Sequence, residues 1–417
     1  MGYPKPGSVF FVISLIHFSM ATLMITQRFP PYVGAAARRL AHLAQGFARE
    51  GKVFVIRSGE DGPENSAVTE TFNLPRQDLR QLSTRTGSTV KAQTKQRPVV
   101  QGLLRLRQAY PFLYLTDDGG PAYRKRAFAL AVELVENRGV KTIYSSFRPW
   151  TDHLVAKRLK AKYPHLKWVA DFRDLPVDPV RNDVWFPTLQ RWWGKRVIAG
   201  ATEVWVVSEG QKAQLAGWHP NLQVRYNALL ALPPEQLAPT ADRFTITYTG
   251  SLYPGLQNMA ALVSAINELI SEEEISANKV CLQYRGKDAE VFKTWARELP
   301  PHCLDVEPSI APAAAQKMQQ AATILLLLNW SAPGYYGVLT AKLWDYLATG
   351  RPILALVNGP GDQELDDIIL GAAAGAVFET KEQREVKEWL LARYQFWKAG
   401  VAPQWEPNRE VLKQYLT

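Results

Sequence analysis

Two cysteines, Cys281 and Cys303, are all that the 417 residues contain. That is too few for a disulfide framework, and no Cys/His cluster has zinc spacing, so the chain suits a reducing cytoplasm and needs no structural metal. Long apolar runs are equally scarce. The exception, Val9 to Thr26, spans about eighteen mostly apolar residues, near the lower limit for a membrane crossing, and is interrupted by Ser14, His17, Ser19 and Thr22. With Lys5 as its only basic flank and no small-residue cleavage site after it, it also makes a weak signal peptide. The preferred reading makes Ala21 to Thr26 a first buried strand, Met20 a candidate start, and residues 1–19 an extension outside the fold. Nucleic-acid signatures are missing too: basic residues are scattered and accompany no helix-turn-helix, zinc-finger or RNA-binding motif.

With 47% hydrophobic and 21% charged residues the composition is that of a globular protein, long enough for two domains. Its formal charge of +10 is unevenly divided: residues 1–230 carry 33 Lys and Arg against 17 Asp and Glu, whereas residues 231–417 carry 16 against 22. A basic first half suits an anionic partner such as a membrane surface or a lipid-linked phosphate, although scattered charge also fits a plain solvated surface.

Strands and helices alternate as they do in parallel sheets. A helix is expected over Gly34–Glu50, then a strand at Lys52–Arg57, a helix at Tyr123–Asn137, a strand at Thr142–Ser146, a helix at Thr151–Tyr163, and strands at Trp168–Asp171 and Glu203–Val207. Residues 58–120, without clean periodicity, read as a long excursion bordering an acceptor site; its Asp117-Asp118 lacks the middle residue of an Asp-x-Asp metal motif. A Leu-, Ala- and Pro-rich linker, Leu229–Thr240, precedes a restart: the strand Thr245–Thr249, a Gly loop, a helix at Asn258–Ile270, and strands at Val280–Tyr284, Leu304–Val306, Ile324–Asn329 and Pro352–Val357. The domains are therefore expected at 20–230 and 231–387, with 388–417, amphipathic and Trp-rich, as closing helices. In open parallel sheets ligands bind beyond the carboxyl ends of the strands, so the loops after Thr26 and Thr249 should face a common cleft.

The richest stretch is Tyr335–Leu356, YYGVLTAKLWDYLATGRPILAL, in which a Gly-bearing loop runs into a helix and then a buried strand. A helix start of this kind holds anions through free backbone N–H groups and the helix dipole. Lys342 lies early in that helix and shares a face with Asp345, three residues on.

These residues resemble retaining GT-B glycosyltransferases, most closely family 4. The likeness covers nearly the whole chain from Met20 and rests on FPPYVGAAARR at the first loop, WVADFRD at Trp168–Asp174, VWVVSEG at Val204–Gly210, YTGSLYPG at Tyr248–Gly255 and AKLWDYLATGRPILA at Ala341–Ala355. The resemblance implies two Rossmann-like domains facing a cleft, closing helices that cross back to the first domain, and transfer of a sugar from a nucleotide diphosphate to a hydroxyl acceptor with retention and without a metal or other cofactor. It assigns donor binding to Gly250, Ser251, Arg285, Ser309, Gly337, Lys342 and Asp345, with base contacts near Glu307 to Ile310. Lys342, Arg173 and His153 become the catalytic candidates, and Gly34 and Asp174 lie on the acceptor side. The implied acceptor is a glycan, a small molecule or a lipid-linked compound at the cytoplasmic face of a membrane.

Departures from the family pattern accompany the likeness. Gly337 stands where the first acidic residue of the paired-Glu motif belongs, Asp345 replaces the second, and Ser251 with an uncharged Tyr253-Pro254-Gly255-Leu256 run replaces the usual Arg and Lys. Lys342, Arg285 or Arg173 would have to compensate. Simpler roles compete at several positions: His153 as a structural residue at a helix start, Arg173 in a salt bridge with Asp171 or Asp174, Gly34 as a helix cap, and Ser208 as an N-cap completed by Gln211. An epimerase or hydrolase on the same fold, leaning on His153 and Asp174, and a catalytically silent nucleotide-sugar-binding subunit are the alternative functions.

Overall fold

The computed structural model describes residues 20–32, 34–59, 65–75, 120–180, 184–237, 242–400 and 407–416. The extension 1–19, most of the expected excursion and Asp117-Asp118 lie outside them. The described residues form two α/β units, each built on a wholly parallel sheet.

The first sheet comprises β1 (Ala21–Ile25), β2 (Val53–Ser58), β3 (Glu70–Leu74), β4 (Val140–Phe147), β5 (Lys167–Phe172), β6 (Glu203–Val206) and β7 (Leu222–Val224), in the order β3-β2-β1-β4-β5-β6-β7. Its central strands are buried on both faces, which is why their sequences are continuous apolar runs rather than alternating ones. Leu23 and Ile25 point into one core with Ile143, Trp168 and Phe172. Met24 points into the other with Val53, Val55 and Leu40 of the helix Ala35–Glu50.

The second sheet has β8 (Phe244–Thr249), β9 (Val280–Arg285), β10 (Leu304–Glu307), β11 (Ile324–Trp330), β12 (Ile353–Asn358) and β13 (Gly375–Glu379), ordered β10-β9-β8-β11-β12-β13. The ILLLLNW run of β11 sends Leu326 and Leu328 to one core and Leu325 and Leu327 to the other. In each sheet the strand order reverses at the first strand, β1 or β8, and such a reversal opens a crevice at the strand ends.

The strands expected from the sequence are present, each within two residues of its expected ends. Three further short strands, β3, β7 and β13, escaped the sequence pattern, as did the helix Pro187–Ile198. β3 falls inside the stretch read as an excursion, where ETFNL forms a partly buried edge strand. The closing helices divide between two places. Gln383–Lys398 lays Val386, Leu390 and Tyr394 on the second core, with Tyr394 and Trp397 rings 5.4 and 5.9 Å from Phe244. The last helix, Arg409–Lys413, reaches back only as far as the end of the first unit: Leu229 N–H donates to the Tyr415 carbonyl at 3.0 Å, and Tyr226 meets Tyr415 ring to ring at 5.5 Å.

Candidate functional site

The carboxyl ends of β1, β4, β5 and β6 face those of β8, β11 and β12, and side chains bridge the gap. Arg38, in the first turn of the helix Ala35–Glu50, donates to both carboxylate oxygens of Asp345 at 2.8 and 3.0 Å. The Glu364 carboxylate accepts from the Glu209 and Gly210 backbone N–H groups at 2.7 and 2.9 Å, and the Tyr335 hydroxyl donates to Asp178 at 3.1 Å. Between these bridges lies a cavity of about 220 Å³. Arg39, Arg173 and Asp174 line it from one side, and Tyr253, Gly337 and Thr340 from the other.

Two of those lining groups have unmet polar atoms. Arg173 donates one terminal nitrogen to the Arg148 carbonyl at 2.7 Å and has another 3.7 Å from Asp174, but its buried Nε has no partner among the described residues. Burial lowers the Arg173 pKa while leaving it a cation, since an arginine starts so high. Thr340 is the N-cap of the helix Ala341–Thr349, yet its hydroxyl makes no cap bond and is buried without a partner. That helix ends as its sequence demands, at Gly350 with φ 73°.

Lys342 and Gly250 meet as the motif order implies. Gly250 has φ 107°, and a Cβ there would lie 2.8 Å from Lys342 Cε, so only glycine lets the lysine stem cross the loop. Lys342 Nζ sits 3.5 Å from the Ser251 carbonyl and 5.1 Å from the centre of the Tyr248 ring. Burial lowers its pKa to about 8, against the opposing pull of Asp345 and Asp288. Ser251 contributes its carbonyl, which also accepts from the Tyr248 hydroxyl at 2.8 Å.

Other expected residues are placed differently. Arg285 is bound within its own sheet edge, donating to both Asp305 carboxylate oxygens at 2.8 and 3.0 Å and lying 3.2 Å from Glu307, so its charge is already matched. Ser309 is exposed in the loop after β10. Gly34 caps its helix from an exposed position, and Asp174 is half-buried at the cavity wall. Ser208 is the N-cap that sequence suggested, accepting from Gln211 N–H at 3.1 Å; the Gln211 side chain reaches back to Val207 rather than to Ser208.

His153 corrects the sequence reading most sharply. It is fully buried among Trp150, Trp168 and Phe172, inside the core rather than on the cleft. Trp168 Nε1 donates to Ser145 Oγ at 2.8 Å, and the same hydroxyl is hydrogen-bonded to His153 Nδ1, also at 2.8 Å. Burial lowers its pKa to about 3, keeping the ring neutral.

Sequence reasoning missed two carboxylates. Asp171, wholly buried, accepts from Arg39 at 2.7 Å, from the Tyr144 hydroxyl at 2.7 Å and from Ser146 at 3.2 Å, and Arg39 also donates to the Arg225 and Tyr226 carbonyls at 3.0 and 2.9 Å. Glu364, carried by the helix Gln363–Gly371, fills the space beside Gly337, where a Cβ would fall on its Oε2. Gly337 has φ 70° and donates its N–H to Asp362 at 2.9 Å. It also faces Gly210, whose own Cβ would lie 3.0 Å from the Gly337 Cα, so the units meet backbone to backbone. A hint was present in the Asp-x-Glu of Asp362 and Glu364, but it pointed nowhere in particular without the fold.

Among the described residues no group of three His, Cys, Asp or Glu is arranged to hold a metal ion, and no helix is long and apolar enough to cross a membrane. No family model and no curated protein matches the chain. Solved structures do. Sucrose-phosphate synthase from Thermosynechococcus elongatus superposes with a TM-score of 0.59 at 13% identity over 95% of both chains. TarM gives 0.56 at 8% identity, covering 95% of this chain and 98% of its own. A trehalose-6-phosphate protein from E. coli bound with UDP-2-fluoro glucose gives 0.52 at 10%, over 95% and 94%. At these identities the likeness establishes the fold: the chain has the two-unit GT-B architecture, two Rossmann-like sheets facing a cleft.

Proposed function

We propose that the protein transfers a sugar from a nucleotide diphosphate to a hydroxyl acceptor, with retention at the transferred carbon. The carrying observation is the cluster of unmatched donors at the cleft: Arg173 Nε, the Thr340 hydroxyl and the start of the helix Ala341–Thr349 around one cavity, with Lys342 beside the Gly250 loop. Those groups suit a diphosphate, whose leaving charge they would stabilise as it develops. The uridine nucleotide sugar held by the E. coli neighbour supports a donor of that class. Lys342 then takes the leaving-group role, assisted by Arg173, while Asp345 holds the donor ribose once released from Arg38. Gly34 and Asp174 stand on the acceptor side. No step in this reading uses a metal or other cofactor.

The basic first half favours an acceptor that is anionic or lipid-linked, reached from the cytoplasmic side of a membrane. The epimerase or hydrolase reading loses His153, which has no access to the cleft. Thermal unfolding with UDP, GDP, ADP, CMP and TDP and their sugars tests the proposal. A ligand at 100 times its Kd adds about 2.7 kcal/mol, so one diphosphate should raise the melting point of the wild type and not of Lys342→Ala. A response to none would remove the transferase reading, and binding without product would favour the silent subunit.

A further inference from the structure

Four of the eleven large apolar side chains most exposed among the described residues fall within eight positions: Trp185 (37%), Phe186 (57%), Leu189 (38%) and Trp192 (51%). They are not scattered surface residues. The helix Pro187–Ile198 buries Gln190, Gly194, Val197 and Ile198 against the first core, and Gly194 lies so close to Trp218 and Trp150 that a Cβ there would overlap both. With that face committed inward, positions 189, 192 and 196, spaced three and four apart, form the outward stripe, and Trp185 is exposed just before the helix start. Phe186 takes the left-handed conformation, φ 55° and ψ 56°, which is rare for a bulky residue, and so holds its ring in solvent at the helix start.

Charge completes the pattern. The helix carries Arg191, Lys195 and Arg196 and no acidic residue, and the Arg196 guanidinium lies 4.2 Å from the centre of the Trp192 ring. From the neighbouring helix Trp150–Lys162, Lys157 donates to the Arg196 carbonyl at 2.8 Å and so adds a cation beside the stripe. Tryptophan and phenylalanine bordered by cations is the composition that settles at the headgroup level of an anionic bilayer, where rings enter the acyl boundary and cations meet phosphate.

We infer that this stripe is a docking surface for anionic phospholipid membranes. Its helix follows β5, whose carboxyl end leads through Arg173 and Asp174 at the cavity wall to Phe186. Docking there would set the cleft mouth against the bilayer and bring a lipid-linked acceptor to it. The surface goes beyond the transfer reading, and its test uses neither donor nor acceptor, so either can fail alone.

The test is sedimentation of the full chain with vesicles of phosphatidylcholine alone and of phosphatidylcholine with 30% phosphatidylglycerol (roughly the anionic content that gives a substantial surface potential). The wild type should sediment with the anionic vesicles, and the triple variant Phe186→Ser, Leu189→Ser, Trp192→Ser should bind at least about tenfold more weakly. Arg191→Glu with Lys195→Glu should abolish the preference for the anionic lipid. Because the side chains are exposed, melting points should match the wild type. As a check independent of any variant, brominated lipids should quench tryptophan emission in the wild type. Absence of sedimentation, unaltered binding by the triple variant, or a self-association in lipid-free buffer that the triple variant removes would overturn the inference.

Discussion

The two units treat the polar groups at their cleft-facing strand ends in opposite ways. In the first, the buried Asp171 carboxylate is met by Arg39, Tyr144 and Ser146, a network complete within one sheet and one helix. In the second, the side chains of Asn329 and Ser331 at the end of β11, the Thr340 hydroxyl and Trp344 Nε1 are buried without partners among the described residues. Native interiors leave few such groups. The contrast teaches that the first edge is a self-contained frame, whereas the second keeps unmatched groups, of which the Thr340 hydroxyl lines the shared cavity opposite Arg173 Nε.

The sharpest way to break this comparison is Asp171→Ala. It strands the Arg39 charge inside the first unit, so denaturant unfolding should show a loss of about 3–5 kcal/mol; a loss within experimental error would mean the frame is not self-contained. Next comes Lys342→Ala, for which steady-state kinetics should record a fall of about 100- to 1000-fold, the range of a single electrostatic donor. The unliganded variant should melt no lower than the wild type, since it no longer buries a charge.

The Lys342 pKa near 8 adds a pH dependence to that result. A lysine lowered in the folded state leaves the unfolded chain holding the proton between about pH 8 and its ordinary 10.5, so its contribution to stability rises with pH across that window. A diphosphate prefers the charged form. Titration calorimetry in two buffers should therefore show proton uptake on binding above pH 8, with affinity declining as pH rises further.

Thr340→Val probes the other half of the comparison. Replacing a buried hydroxyl that lacks a partner should leave the unliganded melting point unchanged or higher, while diphosphate binding weakens by about 0.5–1.5 kcal/mol. A variant that melts lower and binds normally would show that the hydroxyl serves the fold. The smallest effect belongs to Arg38→Ala: the Asp345 pair is half in solvent, so stability should change by less than about 1 kcal/mol. Nucleoside diphosphate affinity should hold or improve as Asp345 is freed; a marked loss would assign Arg38 itself to the donor.

How much of this was legible in the sequence follows from where the residues sit. Strands such as β11 and β12 announce themselves because burial on both faces demands unbroken apolar runs, whereas β3, β7 and β13 are short and only partly buried. The meeting of Lys342 with the Gly250 loop was readable from motif order, since both follow strands that flank the point where the sheet order reverses. Arg38 with Asp345, and Glu364 with Gly210, join positions 307 and 154 residues apart, and no local pattern records such pairings. His153 misled because its helix start resembles a cleft position, while the rings that seal it are Trp150 of its own helix and Trp168 and Phe172 of β5.

Gly210 and Gly337 give the cleft a property that no charged residue could supply. Because the units touch there through two bare backbones, the aperture between the sheets is defined by a pair of missing side chains. A methyl group at Gly210 would fall on the Tyr336 carbonyl, and one at Gly337 on the Glu364 carboxylate and close to the Gly210 backbone, so either would act as a spacer between the units. A larger side chain at 337 would also require the Glu364 carboxylate to move, so the two positions are coupled through space.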